Sequence, residues 1–396
     1  MKIGIIVDKF PSVSETFILN KVEGLCKRGH KVTVFRNSRH NDIKLEKQLL
    51  SNDVSNLVLV DMNLPGSIIQ ATKKILLNPS VAVSAFRSST ISIKKNILTA
   101  IRDKYFAAHH CDIYHFEFSG LATTYMPLFK SLQGKIVVSC RGSAEKVKAI
   151  TQPGRKEELQ QLFSKVNYIH CVSEDMATTI QEYGAPANKI FVNRPAIISN
   201  FFTPAIKVND TSVINIVSIG RLTFQKGFLV GLLAFKEVIK QNKNVHWTIA
   251  GDGPLLEEIK FYIHDLQLTD NVTLAGSVAK QQVLNLLQQA DIFFLPSVYE
   301  GIANVVLEAM AMQLPVVSSN CSGMHEVITN DVNGMLADNY NSTEMANQLL
   351  MLINNKSKRI EIGLAARKRI EQAFDLERQL DIFEQQYNLM LTPSTA

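Results

Sequence analysis

Short apolar runs rich in valine and isoleucine alternate with longer segments of helical periodicity along most of the chain. The strand-like runs are KIGIIVD, HKVTVF, NLVLVDM, DIYHFEF, GKIVVSC and NYIHCVS, followed by SVINIVSIG, VHWTIAG, NVTLAG, DIFFLPS and PVVSS. Such alternation is typical of α/β proteins, in which helices flank parallel sheets. Ligands bind beyond the carboxyl ends of the strands in open sheets of this type, so the loops after the strands are the places to search for chemistry.

The alternation stops over residues 193–210, where NRPAIISNFFTPAIKVND carries prolines and asparagines and has no helical period. We interpret this stretch as a linker. A chain of 396 residues also exceeds what one hydrophobic core usually organises. We therefore predict two doubly wound domains, residues 1–198 and residues 199–377.

Composition indicates a globular protein, with 46% apolar and 20% charged residues. The apolar run at the start is too short for a signal peptide, and no stretch reaches the roughly 18 uncharged apolar residues of a membrane span. The five cysteines form no C-x-x-C pair, so neither a zinc knuckle nor a disulfide framework is indicated. We expect a cytoplasmic protein, which lies on the inner face of the cytoplasmic membrane if it binds a membrane.

The charge is uneven. Residues 1–198 contain 27 lysines and arginines against 16 acidic residues, a net charge of +11, whereas the remainder carries −5. The first half therefore favours anionic partners.

Residues 66–104 are especially basic, and apolar residues interleave the charges at helix-like spacing. The cations are Lys73, Lys74, Arg87, Lys94, Lys95, Arg102 and Lys104. Two interpretations fit: basic amphipathic helices on an anionic membrane surface, or helices that cover one face of a sheet and expose a basic side.

The first loop of the second half, SIGRLTFQKGFLVGLLAF, places Arg221 and Lys226 around a turn and Gly227 at a helix start. Two cations beside a helix N-terminus favour a diphosphate, because the backbone amides and the helix dipole also attract negative charge. Two solvated loop cations fit the same pattern. In the next loop, IAGDGPLLEE, Gly251 permits close approach of the backbone to a ligand. This loop is not the G-x-G-x-x-G dinucleotide fingerprint, which occurs nowhere in the chain.

Two glutamates stand in SVYEGIANVVLEAMAMQLPVV. Glu300 lies in the exit loop of the predicted strand DIFFLPS, and Glu308 lies on the helix that follows. Glu308 is either a surface glutamate or, because its neighbours are apolar, a carboxylate that needs a partner such as ribose hydroxyls. The start of that helix should offer exposed amides to sugar hydroxyls or phosphate oxygens. Its four residues are Gly301, Ile302, Ala303 and Asn304.

The order of GRLTFQKG, IAGDGPL, LAGSV, the two glutamates, QLPVVSS and GMHEVI with NGML over residues 213–340 resembles the retaining glycosyltransferases of family four. The N-terminal PSVSETFILNKVEGLCKRGHKVTVF is similar to enzymes that build bacterial exopolysaccharide and lipopolysaccharide. The resemblance implies the GT-B fold, with two facing Rossmann-like domains and a C-terminal helix over residues 378–396 that returns to the N-terminal domain.

The resemblance also implies roles for four residues. Arg221 and Lys226 match the residues that bind the donor diphosphate. Glu300 matches the residue that contacts the donor sugar, and Glu308 the one that contacts the ribose. In this interpretation each sugar of a nucleotide sugar has its own carboxylate.

The N-terminal half departs from the family at two strand ends. Many members have H-x-H-F, whose second histidine reaches the donor sugar, but this chain has YHFEF, with His115 first and Glu117 second. The family's HG-x-D appears as CRGSAEK, which begins its loop with Arg141. Glu117 and Arg141 are our catalytic candidates beside Glu300, and a mutual ion pair is one compensation, because both follow neighbouring strands. His115 is either a core histidine or an acceptor-side ligand.

The glycine-rich first loop of many GT-B enzymes is replaced by DKFPSVSETF. Ser12 and Glu15 have the spacing of a capping box, which predicts a helix start. The alternative is that Ser14, Glu15 and Thr16 touch acceptor or donor.

The chain contains no D-x-D, so the metal-carboxylate clamp of the other major glycosyltransferase fold has no candidate. We expect an enzyme without metal or cofactor, whose partners are a nucleotide sugar and a glycan or lipid-linked acceptor, and not nucleic acid. The departures at Glu117 and Arg141 also fit a catalytically silent GT-B scaffold that binds a glycan or partner enzyme. A nucleotide-sugar epimerase of the same fold is a further alternative, whereas the missing fingerprint argues against a Rossmann dehydrogenase.

Overall fold

A computed structural model of the chain describes residues 1–12, 15–38, 54–62, 93–204 and 213–392. The chain divides into two compact units. The first unit comprises Met1–Val172, Met176–Asn193 and Leu380–Ala396, and the second comprises Ser173–Asp175 and Arg194–Gln379.

Within its described residues, the first unit has a seven-stranded parallel sheet in the order β3-β2-β1-β4-β5-β6-β7. The strands are β1 Lys2–Lys9, β2 Lys31–Ser38, β3 Leu57–Asp61, β4 Ile113–Phe116, β5 Lys135–Cys140, β6 Tyr168–Cys171 and β7 Ile190–Val192. The helices of this part of the chain are α1 Thr16–Lys27, α2 Ile93–Ala108, α3 Ser119–Tyr125, α4 Lys148–Thr151, α5 Arg155–Lys165 and α6 Glu174–Glu182.

The described part of the second unit has a six-stranded parallel sheet in the order β10-β9-β8-β11-β12-β13. The strands are β8 Ile214–Ile219, β9 Val245–Ala250, β10 Val272–Gly276, β11 Ile292–Leu295, β12 Val316–Ser319 and β13 Met335–Ala337. The helices are α7 Phe228–Gln241, α8 Leu256–Asp265, α9 Lys280–Gln289, α10 Asn304–Ala311, α11 Ser342–Asn354, α12 Lys356–Ala373 and α13 Leu376–Leu391.

The strands follow the apolar runs because both faces of each sheet are covered. In β1, for example, Ile3, Ile5, Ile6 and Val7 are all fully buried, as expected for a parallel sheet between two helical layers. The predicted α/β architecture with two Rossmann-like sheets is confirmed. β7 and β13 were not predicted, because three residues are too few to establish a period.

The C-terminal part of α13 packs on the first unit, as the predicted returning helix requires. Phe383 and Tyr387 are buried there, and Arg28 at the end of α1 donates to Glu384 over 2.6 Å. The C-terminal part of this helix therefore adds buried aromatic side chains to the core of the first unit, although the rest of that unit ends at Asn193.

The predicted start of α1 at Ser12 was wrong. The helix begins at Thr16 with Glu15 at the N-cap position, and no side-chain hydrogen bond caps it. The backbone N–H of Glu15 instead donates to the carbonyl oxygen of Ser12 in a turn before the helix.

Much of the basic stretch over residues 66–104 lies outside the described residues, including Lys73, Lys74 and Arg87. In the part that is described, α2 buries Ala100 and Ile101, so this helix covers the sheet. Adsorption to an anionic membrane surface stays a prediction. Among the described helices, none is both long and apolar enough to cross a bilayer.

Candidate functional site

The loops after β8, β9 and β11 meet at the carboxyl edge of the second sheet, where β9, β8 and β11 are neighbours. Gly251 has a φ of 145° and lies against the preceding loop: a Cβ atom here would be 1.9 Å from the carbonyl oxygen of Gly220. Only glycine fits such an approach. Gly251 thus has a packing role, and its contact with a donor stays a prediction.

Lys226 ends a 3₁₀ turn in the first of these loops, and Gly227 follows it in the left-handed region with a φ of 63°. A Cβ atom at Gly227 would lie 1.9 Å from the carbonyl oxygen of Pro296, at the exit of β11. This close backbone approach brings Lys226, just before Gly227, within reach of Glu300, which follows β11.

Lys226 and Glu300 form an ion pair across these loops, with 2.6 Å between Nζ and Oε1. The Ser297 hydroxyl donates to the same carboxylate oxygen over 2.8 Å. Both charged side chains keep some exposure, 18% for the lysine and 15% for the glutamate. Oε2 of Glu300 forms no hydrogen bond within the described part of the chain, so the pair presents a free carboxylate oxygen and further ammonium N–H groups to a ligand.

Arg221 follows β8 and is exposed. Its guanidinium makes no hydrogen bond or ion pair with any described residue, which leaves its donors available. The same loop therefore contains Lys226, which an ion pair holds, and Arg221, whose guanidinium has no partner among the described residues.

The start of α10 provides backbone groups rather than side chains. Ala303 is its N-cap residue and Asn304 its first residue, while Gly301 lies in the loop before it. The side chains of Ile302 and Ala303 are buried in the core of the second unit, with 8% and 4% exposure. The amides of residues 301–303 donate no hydrogen bond to the residues described, so they remain able to bind oxygen atoms of a ligand.

Glu308 lies one turn into α10 and is partly buried. Within the described residues its carboxylate has no hydrogen bond or ion pair. Burial raises its pKa to about 7, and the positive charge of Lys280 opposes that rise only in part. A ligand that donates hydroxyl hydrogen bonds would stabilise the ionised form of such a carboxylate.

This raised pKa predicts an unusual pH dependence of stability. Between pH 4.5 and about 7 the folded chain binds more protons at Glu308 than the unfolded chain. The stability that the protonated Glu308 contributes to the fold is therefore fully present below pH 4.5, and it is lost as the pH rises through about 7. From pH 5 to pH 8 the free energy of unfolding of the wild type should fall by about 2–3 kcal/mol more than that of Glu308→Gln. Urea denaturation across this range measures the difference.

The matched control for this experiment is Glu258→Gln, which changes an exposed glutamate on α8 of the same unit. This variant should follow the wild type at every pH. Parallel curves for the wild type and Glu308→Gln would contradict the assignment of a dehydrated carboxyl group to position 308.

In the first unit, Glu117 and Arg141 directly follow the neighbouring strands β4 and β5. Arg141 pairs with Glu117 twice: Nη2 contacts the carboxylate oxygen Oε2, and Nε donates to the backbone carbonyl over 2.9 Å. The guanidinium also lies 4.4 Å from the ring centroid of Phe17. The ion pair that the strand positions suggested is therefore present, and it fixes the plane of the arginine.

Glu117 cannot itself contact a substrate in this structure, which corrects its assignment as a catalytic residue. It is fully buried, with Oε1 bound to Lys21 Nζ at 2.7 Å and Oε2 bound to Arg141. Burial alone would raise its pKa, but the charges of Lys21 and Arg141 outweigh burial and hold it below its ordinary range. Glu117 holds the guanidinium of Arg141, and Arg141, which is 17% exposed, is the member that reaches the surface.

His115 is also fully buried. Its Nε2 lies 2.7 Å from Ser139 Oγ and its Nδ1 lies 2.6 Å from the Tyr387 hydroxyl. Burial lowers its pKa well below the ordinary value, so the ring is neutral. Of the two alternatives for His115 the structure shows the core histidine, which has no surface to offer an acceptor.

The remaining acceptor-side candidates lie at the start of α1. Glu15 and Thr16 are partly buried, and their contact with a substrate stays a prediction. Ser14 lies outside the described residues.

Lys21 is the residue that sequence reasoning missed. It is 2% exposed and occupies the buried face of α1, since Ile18, Lys21, Val22 and Leu25 follow the i, i+3, i+4, i+7 spacing of an apolar stripe. A lysine inside such a stripe is the signal that would have found it.

Two protein-family models match the chain, Glycosyltransferase Family 4 over residues 14–198 and Glycosyl transferases group 1 over residues 202–369. The amylovoran biosynthesis glycosyltransferase AmsK of Erwinia amylovora is 29% identical over 405 residues, which covers 95% of this chain and 96% of that protein. The putative colanic acid biosynthesis glycosyltransferase WcaL of Escherichia coli K12 is 26% identical, with coverage of 95% and 96%. The crystal structure of Anabaena Alr3699/HepE, solved with UDP and glucose, has a similar fold, with a TM-score of 0.75 at 16% identity and coverage of 98% and 99%.

Proposed function

The chain belongs to the glycosyltransferases in which a Glycosyltransferase Family 4 domain precedes a Glycosyl transferases group 1 domain, and we propose that it transfers a sugar with retention of configuration. The donor is a nucleotide sugar, and the acceptor is a glycan or lipid-linked glycan of a bacterial surface polysaccharide. The relatives named for amylovoran and colanic acid synthesis support this substrate class. The observation that carries the proposal is the Lys226–Glu300 pair at the carboxyl edge of the second sheet.

The second unit would bind the donor through groups of complementary charge. Lys226, Arg221 and the free amides at the start of α10 favour the diphosphate, whose negative charge grows as it leaves. Glu300 offers its free oxygen to the donor sugar and stabilises positive charge at the anomeric carbon. Glu308 accepts from ribose hydroxyls, which supply partners that its carboxylate does not have among the described residues.

We further propose that the reaction needs neither metal nor cofactor, since cationic side chains can balance the leaving diphosphate. The basic first unit would receive the acceptor. For a lipid-linked acceptor, binding of residues 66–104 to an anionic membrane surface is part of the same proposal.

A panel of nucleotide sugars tests the proposal by thermal shift and by transfer to a polysaccharide-repeat acceptor, with and without EDTA. A true donor at 100 times its Kd should stabilise the protein by about 2.7 kcal/mol, and its transfer rate should be the same in EDTA. Loss of transfer in EDTA that magnesium restores would contradict metal independence. Binding without turnover would favour the silent scaffold, and conversion of the donor without acceptor would favour the epimerase.

A further inference from the structure

Lys21 is a buried lysine whose ammonium lies against a carboxylate, an imidazole nitrogen and an aromatic ring. Nζ lies 2.7 Å from Glu117 Oε1 and 3.1 Å from His115 Nδ1. It also lies 4.0 Å from the ring centroid of Phe383, on the C-terminal helix. A carboxylate and electron-rich neighbours of this kind replace the water that a buried ammonium loses.

A chain of hydrogen bonds across three strands fixes the orientation of these groups. The Asn193 carbonyl oxygen can only accept, so His170 donates to it from Nε2 over 2.8 Å. Neutral His170 then accepts at Nδ1 from the Ser139 hydroxyl over 2.8 Å. Ser139 in turn accepts from His115 Nε2 over 2.7 Å. His115 Nδ1 is therefore an acceptor with one lone pair, and two donors face it, the Tyr387 hydroxyl at 2.6 Å and the Lys21 ammonium at 3.1 Å.

The charges of this cluster leave one net positive charge, and only one member carries it to the surface. Lys21 and Glu117 are 2% and 0% exposed and balance each other. Arg141 is held by Glu117 through Nε and Nη2, and its Nη1 donates to none of the described residues. Without the charge of Lys21, Glu117 would neutralise the arginine that it holds.

We propose that Lys21 is a positioning residue that balances Glu117, so that Arg141 is held rigidly and still acts as an uncompensated cation toward a phosphate group of the substrate. The inference rests on the proposed function for its biological substrate, because the phosphate belongs either to the nucleotide sugar or to a lipid-linked acceptor. Guanidinium groups suit phosphate oxygens, which accept hydrogen bonds from a planar donor fork.

The groups around Lys21 determine the pH range over which it keeps its positive charge. Burial lowers the pKa of Lys21 to about 8, although Glu117 opposes the shift. The titratable or charged groups around it on the packed elements are Glu117, His115, Arg141, His170 and Tyr387. Burial keeps both histidines neutral, with the pKa of His170 lowered to about 3, and it raises the pKa of Tyr387 well above the ordinary value. Lys21 is therefore the member that changes charge between pH 7 and pH 9.

A structural role alone would give the opposite pH trend. Between pH 8 and pH 10.5 the unfolded chain binds more protons at this lysine than the folded chain, so the contribution of Lys21 to stability increases with pH. Phosphate binding at Arg141 should instead weaken over that range, because Lys21 loses the charge that balances Glu117.

The test uses inorganic pyrophosphate, titrated calorimetrically into the full-length protein. Binding that Arg141→Ala removes defines the Arg141 site, and Lys226→Ala shows whether the donor-side lysine contributes to it. Lys21→Met should weaken this binding about tenfold at pH 7, whereas Lys21→Arg should retain it. The wild-type affinity at this site should fall relative to that of Lys21→Arg between pH 7 and pH 9, and comparison at equal pH cancels the ionisation of pyrophosphate itself.

Lys189→Met is the matched control, because Lys189 donates to the carbonyl oxygens of Phe163, Ser164 and Val166 at the end of α5 and has no contact with Glu117. It should reduce thermal stability and leave pyrophosphate binding unchanged. Absence of Arg141-dependent binding, unchanged affinity in Lys21→Met, or the same pH dependence in the wild type and Lys21→Arg would each overturn the proposal. These outcomes do not depend on transfer activity, so they are distinct from a failure of the proposed function. In the transfer assay, a raised KM for the donor or for the acceptor identifies the source of the phosphate.

Discussion

Replacing Lys226 with alanine should lower kcat/KM for sugar transfer by about 10²–10³-fold without unfolding the protein. The lysine faces the region where a departing diphosphate would gain charge, and it also holds Glu300 in place over 2.6 Å. Glu300→Gln should have a similar effect, because it keeps an acceptor for Ser297 but loses the charge that stabilises the sugar cation. Initial rates with the donor identified by the panel, together with thermal melting of each variant, measure the change.

Lys240→Ala is the control for this prediction. Lys240 lies on α7 of the same unit and also forms a lysine–glutamate pair, with Glu237 at 2.6 Å, but its side chain is 58% exposed. Such surface ion pairs contribute little to stability, so the activity and melting temperature of Lys240→Ala should stay near those of the wild type. Wild-type rates in a folded Lys226→Ala variant would exclude the donor site proposed here.

The positions of Arg221, Lys226 and Glu300 were predictable because each lies in a loop after a recognisable strand. The alternating apolar runs located β8 and β11, and the residues after them were therefore expected at the carboxyl edge of the sheet. The direct pairing of Lys226 with Glu300 was not predictable in this way. The two residues are 74 positions apart, and they meet only because β8 and β11 are neighbours in the sheet, an order that local patterns do not contain.

The first unit shows where such reasoning stops. The period of two in YHFEF puts His115 of β4 and Glu117 just after it on the same side of the sheet, but it does not say what covers that side. The cover comes from Lys21, 96 residues before Glu117, and from Tyr387, 272 residues after His115. Burial of a charged pair therefore depended on tertiary packing, and Glu117 was interpreted as a catalytic group although it is buried and holds Arg141.

Arg141→Ala and Glu117→Ala should both abolish most transfer, but they should differ in stability. Arg141→Ala removes the exposed member and leaves Lys21 and Glu117 as a balanced pair at 2.7 Å. The loss should be limited to hydrogen bonds and the contact with Phe17, about 1–2 kcal/mol. Glu117→Ala leaves the ammonium of Lys21 buried without a counter-charge, which should cost about 3–5 kcal/mol.

Guanidinium chloride denaturation at pH 7, with kcat/KM measured on the same preparations, separates the two effects. Arg141→Lys adds a further distinction, because it keeps the charge but lacks the fork that Glu117 holds through Nε and Nη2. If rigid presentation matters, this variant should be folded and still impaired. Full activity in Arg141→Ala would show that the arginine only fills space, and equal stability of Arg141→Ala and Glu117→Ala would show that Lys21 does not need its carboxylate. We expect Arg141→Ala to be folded and inactive, because the substrate contact belongs to Arg141. We expect Glu117→Ala to be inactive and less stable, because Glu117 balances the charge of Lys21.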